Sequence, residues 1–291
     1  MKKNLFLALA AAIAVSACTS TTENTSETEE TAETTPKLSV AWETDTTLIT
    51  PESVIYDSQN DVYYVSCIGA VPPGAKDGDG YIAKIGANGE IISNQWVTGL
   101  NGPKGLALVD NILYVADIDQ LVAINTENGE IISSETIEGA TFLNDAGSTP
   151  NGDILITDSD LNTVFVKSGE ETTVLFSSPD LGRLNGVLFE DGKYLLAGFN
   201  SGKLFSLDGS ALTMLADSMQ GADGIEKYHD GHFVSSWNGH IFYVDKNGKR
   251  TKLLDTEADK INAADIDVIQ EKNLLLVPTF FANKVVAYKI D

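Results

Sequence analysis

An all-β fold, a six-bladed β-propeller with four-stranded antiparallel blades, is predicted from three observations. Short apolar runs such as "DVYYVSC", "NILYVAD", "GDILITD", "KYLLAG", "HFVSSW" and "NLLLVP" alternate with turn signals, and no helical periodicity of useful length interrupts them. Turn pairs recur between the runs, at Asn88-Gly89, Asn128-Gly129, Asn151-Gly152, Asp191-Gly192, Asp230-Gly231 and Asn247-Gly248. Both residues of such a pair tolerate positive φ, so each fits a type I′ hairpin. The runs also repeat. Aligning "PESVIYD", "GPKGLAL", "FLNDAGS", "RLNGVLF", "GADGIEK" and "AADIDVI" puts Glu52, Lys104, Asn144, Asn185, Asp223 and Asp265 at one equivalent position. The spacing is about 40 residues after a longer first interval, and a four-strand unit repeated six times makes a propeller rather than a sandwich.

In chain order, residues 1–17 read as an export signal. Lys2 and Lys3 form a positive start, an apolar run extends from Leu5 to Val15, and small residues follow. "VSAC", ending at Cys18, resembles a bacterial lipoprotein lipobox, which implies cleavage before Cys18 and lipidation of it. The chain is then expected at the cell envelope, outer membrane, periplasmic or surface-exposed, touching the membrane through the lipid anchor only. The alternative is ordinary secretory cleavage with a free thiol. Residues 18–37 are rich in Thr and Glu and nearly devoid of apolar side chains, so they read as a disordered acidic stalk. The propeller is expected over residues 38–291. Its first segment, "KLSVAWETDTTL", is expected to supply the outer strand of the last blade, because the final repeat ends at "NKVVAYKID" with three clear strands.

Charge and cysteine content narrow the partners. With 19 Lys and Arg against 42 Asp and Glu, the formal charge is −23. A nucleic-acid partner is therefore not expected, whereas cations are attracted. Cys67, in a strand pattern without a basic neighbour, reads as a small buried hydrophobe rather than a nucleophile.

In a propeller the first strand of each blade lines the central channel, so the aligned residues converge near the axis. Glu52, Asn144, Asn185 and Asp223 then offer two carboxylates and two amide carbonyls. This set suits Ca2+ or another divalent cation and disfavours zinc. The alternative is a hydrogen-bonded polar plug. Lys104 either stabilises an oxyanion or pairs with Asp265 across the channel, and pairing is the favoured reading because a buried ammonium needs neutralising. The insertion "GAVPPGAKDGDG", residues 69–80, reads either as a partial lid or as a surface insertion. Other loops present Asp117, Asp119, Asp158, Asn200, Trp237, Phe280 and Phe281 at the rim. "KDGDGY" lacks the acidic twelfth position of a calcium loop, and His229, His232 and His240 lack the spacing of metal ligands. No G-x-S-x-G elbow, P-loop or dinucleotide fingerprint is present.

"PESVIYD", "LNDAG", "LNGVLF" and "ADGIEKYHDGHFVSSWNGHIFYVDKNGK" resemble the senescence-marker-protein/gluconolactonase/luciferin-regenerating-enzyme family, the regucalcin-like propellers, over about residues 38–291. The resemblance implies a divalent metal held by Glu52, Asn185 and Asp223, with Asn144 as ligand or substrate-binding amide. It also implies Asp223 as general base and hydrolysis of lactones or small esters. An arginine is common in that family two positions before the blade-three asparagine, and here Phe142 stands there. A polar sugar lactone is accordingly not the expected substrate. Lys104, Phe142 and Trp237 complete the expected substrate-binding set. The alternative function is a non-catalytic propeller binding a small ligand or a protein partner.

Overall fold

The computed structural model describes residue 1 and residues 35–291; the leader, Cys18 and most of the expected stalk lie outside the described residues. Six antiparallel sheets of four strands each account for residues 38–291. Blade one consists of Pro51–Asp57, Val62–Cys67, Gly80–Gly86 and Ile91–Leu100. The inner strands of blades two to five are Pro103–Val109, Leu143–Ser148, Leu184–Glu190 and Ala222–Tyr228. These inner strands touch one another in cyclic order, and blade six touches blade one, so the sheets form a ring.

Closure follows the expectation. Leu38–Glu43 pairs antiparallel with Val285–Ile290, adding the outer strand to a blade whose other members are Asp267–Ile269 and Leu274–Pro278. Leu38 stands opposite Ile290, and Lys37 and Asp291 exchange two backbone hydrogen bonds at 2.9 Å.

The core lies between blades. Six of the apolar clusters each join side chains of two neighbouring sheets, and one of them, containing Leu48, Tyr63, Leu276 and Ala287, spans the closure. Burial of these faces drives assembly, because a lone four-stranded sheet would leave both faces wet. Cys67 belongs to the closure cluster, and burial pushes its thiol up to about 12, so it is an inert hydrophobe as expected.

The turns depart from expectation in one respect. Only at Asp191-Gly192 do both residues take positive φ. At Asn88-Gly89, Asn128-Gly129, Asn151-Gly152 and Asn247-Gly248 the glycine alone does, and at Asp230-Gly231 neither does. The longer loops use the Gly for the left-handed step, while local side chains brace the turn, as when Asn128 Oδ1 accepts from Glu130 N at 2.9 Å.

At the axis each inner strand of blades one to five carries an irregularity in pairing at the ring position. The register shifts fall between Pro51 and Ser53, Pro103 and Leu106, Leu143 and Ala146, Leu184 and Val187, and Ala222 and Ile225. A bulge re-aims a side chain, and here it turns the ring residue out of the ladder. Ser66, Thr157 and Ser235 on the adjacent strands then accept from the backbone N–H groups of Ser53, Asp145 and Gly224. Neighbouring inner strands approach so closely that a Cβ on Gly186 would meet the Asp223 carbonyl oxygen at 2.1 Å, and one on Gly224 the Ile266 nitrogen at 2.7 Å. We predict that Gly186→Ala lowers stability by about 1–3 kcal/mol, since the obstructing atom is backbone. Urea denaturation measures this, and an unchanged midpoint would show that the strands can spread.

Candidate functional site

Five ring residues from five blades meet at one cavity. Glu52, Lys104, Asn144, Asn185 and Asp223 all line a space of about 590 Å3, although up to 171 residues separate them along the chain. The two carboxylates are almost fully enclosed, with Glu52 6% and Asp223 2% exposed. Glu52 Oε2 and Asp223 Oδ1 are buried without a hydrogen-bond partner. Burial, then the charge of Asp223, then that of Asp265 push the Glu52 carboxyl well above its ordinary range, and Lys104 opposes this. Asp223 is raised by burial, then by Asp265 and Asp145, with a hydrogen bond from Asn185 in opposition. The cause is one and the same: two acids have been removed from water without a sufficient counter-charge.

The amides are oriented by their neighbours. Asn144 Nδ2 donates to Ser159 Oγ at 2.9 Å, and that hydroxyl donates onward to the Leu184 carbonyl at 2.6 Å. Engaging the amide nitrogen leaves the Asn144 carbonyl oxygen as a free acceptor.

Lys104 does not pair with Asp265. Its ammonium donates to the Gly102 carbonyl at 2.8 Å and lies 4.5 Å from the centre of the Phe142 ring. Burial lowers its pKa first, with Glu52 and Asp117 in opposition. The Phe142 face and a carbonyl dipole stand in for a counter-ion. Asp265 takes part in neither the ring nor this cavity. The inner strand of blade six begins only at Asp267, so Asp265 precedes the ladder and lacks the bulge that aims the other five. Its Oδ2 accepts from Ser53 Oγ at 2.6 Å, one residue below Glu52.

Asp265 instead belongs to a separate cavity of about 160 Å3, lined also by Asp145, Glu226 and Asp267. Backbone N–H groups satisfy two of these carboxylates: Asp145 accepts from Ala146 and Val187 at 2.6 and 2.7 Å, and Asp267 from Tyr56 at 2.7 Å.

The walls of the larger cavity are aromatic. Trp237 packs edge-on against Phe280 and Phe281 at centroid distances of 5.8 and 5.9 Å, and Phe199 lies 6.5 Å away. Val71, Pro72 and Pro73 of the 69–80 insertion complete one side, and Lys76 ties that loop to Asp119 by a 2.6 Å ion pair. Of the other rim residues, Asp117 and Asp158 brace turns: they accept backbone N–H groups of Asn101 and Gly102, and of Thr141 and Phe142. Asn200 does not line the cavity.

Arg183 is not singled out by the sequence and does line it. Its guanidinium carbon lies 5.8 Å from the Phe142 ring centre and 5.9 Å from that of Phe199. The available signal is its offset, two residues before Asn185, the same offset at which Phe142 precedes Asn144.

One further group could hold a metal among the described residues. His240, Asp255 and Glu257, on the outer part of blade five, bring three ligand atoms within 4.8 Å of one another.

Below the ring, burial pushes the Asp265 carboxyl up to about 7, Asp267 adding to the rise and the Ser53 hydrogen bond opposing it. An unfolded aspartate titrates near 3.9, so between about pH 4 and 7 the folded chain binds an extra proton and loses stability as pH rises. We predict that the neutral variant Asp265→Asn gains stability relative to wild type between pH 5 and pH 8. Urea midpoints in chelator measure this, and a pH-independent difference would mean that Asp265 is ionised throughout.

No protein-family model matches the chain, and no curated protein matches it. Solved structures do. A catalytically inactive virginiamycin B lyase from Staphylococcus aureus with quinupristin aligns over 88% of this chain and 99% of its own, with a TM-score of 0.62 and 12% identity. A chain of a nidogen/laminin complex aligns over 70% of this chain and 79% of its own, with a TM-score of 0.57 and 15% identity. The likeness to both is one of fold.

Proposed function

We propose that the axial cavity is a divalent-cation site, calcium first, at which lactones or small esters with apolar substituents are hydrolysed. The observation that carries this reading is the pair of unpartnered buried oxygens, Glu52 Oε2 and Asp223 Oδ1, facing one cavity. The donor set fits a hard dication. Two carboxylates and the amide oxygens of Asn144 and Asn185 are oxygen donors, and a double positive charge would offset the desolvation that raises the pKa of both acids. Held there, such an ion would polarise a carbonyl oxygen and stabilise the charge that develops on it.

The chain's own groups supply the rest. Asp223, whose carboxylate form a bound cation would favour, would take a proton from the attacking water and return it to the departing alkoxide oxygen. Lys104 lines the same cavity and keeps N–H donors beyond the one spent on Gly102, which are available to developing negative charge. Trp237, Phe280, Phe281 and Phe199 exclude water around an apolar substituent. Phe142 presents a ring where a sugar would require a hydrogen-bonding partner, which favours an aliphatic or aryl lactone over a gluconolactone.

A second reading, a non-catalytic propeller recognising a small ligand or a protein, has its own support. The lyase structure of similar fold holds quinupristin, and the other neighbour is a nidogen/laminin complex. We place either activity at the cell envelope, on a chain anchored through Cys18, on the strength of residues 1–18.

With the full chain stripped of divalent ions, calcium is expected to restore turnover of aliphatic lactones above that of sugar lactones. Glu52→Gln and Asp223→Asn should each lower kcat/KM by roughly 10^2–10^4-fold. No calcium-dependent turnover on any lactone, with Asp223→Asn equal to wild type, overturns catalysis. Calcium should still raise the Tm of wild type but not of Glu52→Gln if the site serves recognition alone. Radiolabelled fatty acid should enter wild type in a bacterial host and not Cys18→Ser; equal labelling removes the anchor.

A further inference from the structure

We infer that blade five carries a second metal site, independent of the axis, in which His240, Asp255 and Glu257 hold a tetrahedral divalent ion of the zinc class. The three residues come from adjoining elements. His240 opens the strand His240–Val244 and stands opposite Asp255 at the end of Arg250–Asp255; Glu257 opens the single turn Glu257–Asp259. Their relative placement is fixed by backbone and hydroxyl bonds. Thr256 N and Thr256 Oγ1 both donate to the Gly239 carbonyl at 2.9 Å, and the same hydroxyl lies 2.8 Å from the Ile261 carbonyl.

Two features distinguish this cluster from a surface ion pair. His240 Nε2 is sealed from solvent and makes no hydrogen bond, although Asp255 Oδ1 is 3.3 Å and Glu257 Oε2 3.2 Å away. A charge-assisted N–H to carboxylate bond would close to about 2.7–2.9 Å with the oxygen along the N–H direction. Ligands at 2.0–2.1 Å around a tetrahedral ion, in contrast, lie about 3.3 Å from one another. The two nitrogen-to-oxygen spacings match such ligand edges, and the three atoms all lie within 4.8 Å of one another. Asp255 is also oriented by its neighbours, since Lys252 Nζ donates to Oδ2 at 2.7 Å and Glu257 N donates to Oδ1 at 3.3 Å, on the side of the imidazole.

The chemistry differs from that of the axis. An imidazole nitrogen with two carboxylates selects a borderline ion, whereas the all-oxygen ring selects a hard one. The position has a structural consequence, because Glu257 lines a small cavity with Trp237 and Phe281, which are also wall residues of the axial cavity. An ion at His240 therefore braces the loop behind that wall.

The test uses the full chain after chelator treatment. Zinc titrated by calorimetry should bind at one equivalent and raise Tm, and cobalt should give the intense visible absorption of a tetrahedral centre. His240→Gln should weaken zinc binding about tenfold or more. Glu257→Gln, on a side chain 65% exposed, should do the same. The pair Glu52→Gln and Asp223→Asn should leave zinc binding unchanged. The proposal is overturned by absence of zinc binding, by an octahedral cobalt spectrum, by zinc affinity that survives both blade-five variants, or by its loss in the axial pair.

Discussion

The crowding of inner strands around the axis is the constraint on which the rest of the structure depends. Where neighbouring blades come within van der Waals reach of each other's backbone, a side chain has no room, and Gly105, Gly186 and Gly224 occupy those positions. The ladder cannot run straight through such a point. It bulges, and the residue before each glycine, Lys104, Asn185 or Asp223, is turned toward the channel. In these three blades close packing and the turning of a polar group toward the axis go together, while Glu52 and Asn144 reach the channel from bulges followed by Ser53 and Asp145.

The two acid clusters along the channel show how similar residues acquire different roles. Both oxygens of Asp145 are held by backbone N–H groups, and Asp267 and Asp265 each commit one, to Tyr56 N and Ser53 Oγ. One layer away, Glu52 and Asp223 keep an oxygen each without a partner, beside a cavity large enough for a ligand. Unmet hydrogen-bonding capacity, rather than negative charge as such, separates a site from a support.

Much of this is legible in the sequence because a repeat carries positional information. Equivalent residues of six blades are expected at equivalent radii, and five of them reach the cavity. Asp265 is the exception because a repeat does not encode strand length: its blade pairs only from Asp267, and the residue falls short of the bulge. The expected Lys104–Asp265 pairing is lost with it, and a ring face serves the ammonium instead. Arg183 is legible only by comparing offsets between two blades. His240 escapes because its companions lie on the next strand and the following turn, joined by cross-strand register rather than by short spacing. The Asn-Gly and Asp-Gly pairs do mark turns, but their backbone depends on loop length, which dipeptides do not specify.

Joining Leu38–Glu43 to Val285–Ile290 makes the earliest and latest strands of the propeller edge partners. During synthesis the ring therefore stays open until the final strand arrives, and five blades wait with one apolar face of the first uncovered. Contacts of such sequence separation form slowly. Until the ring closes, that edge has to be kept from pairing with a neighbour.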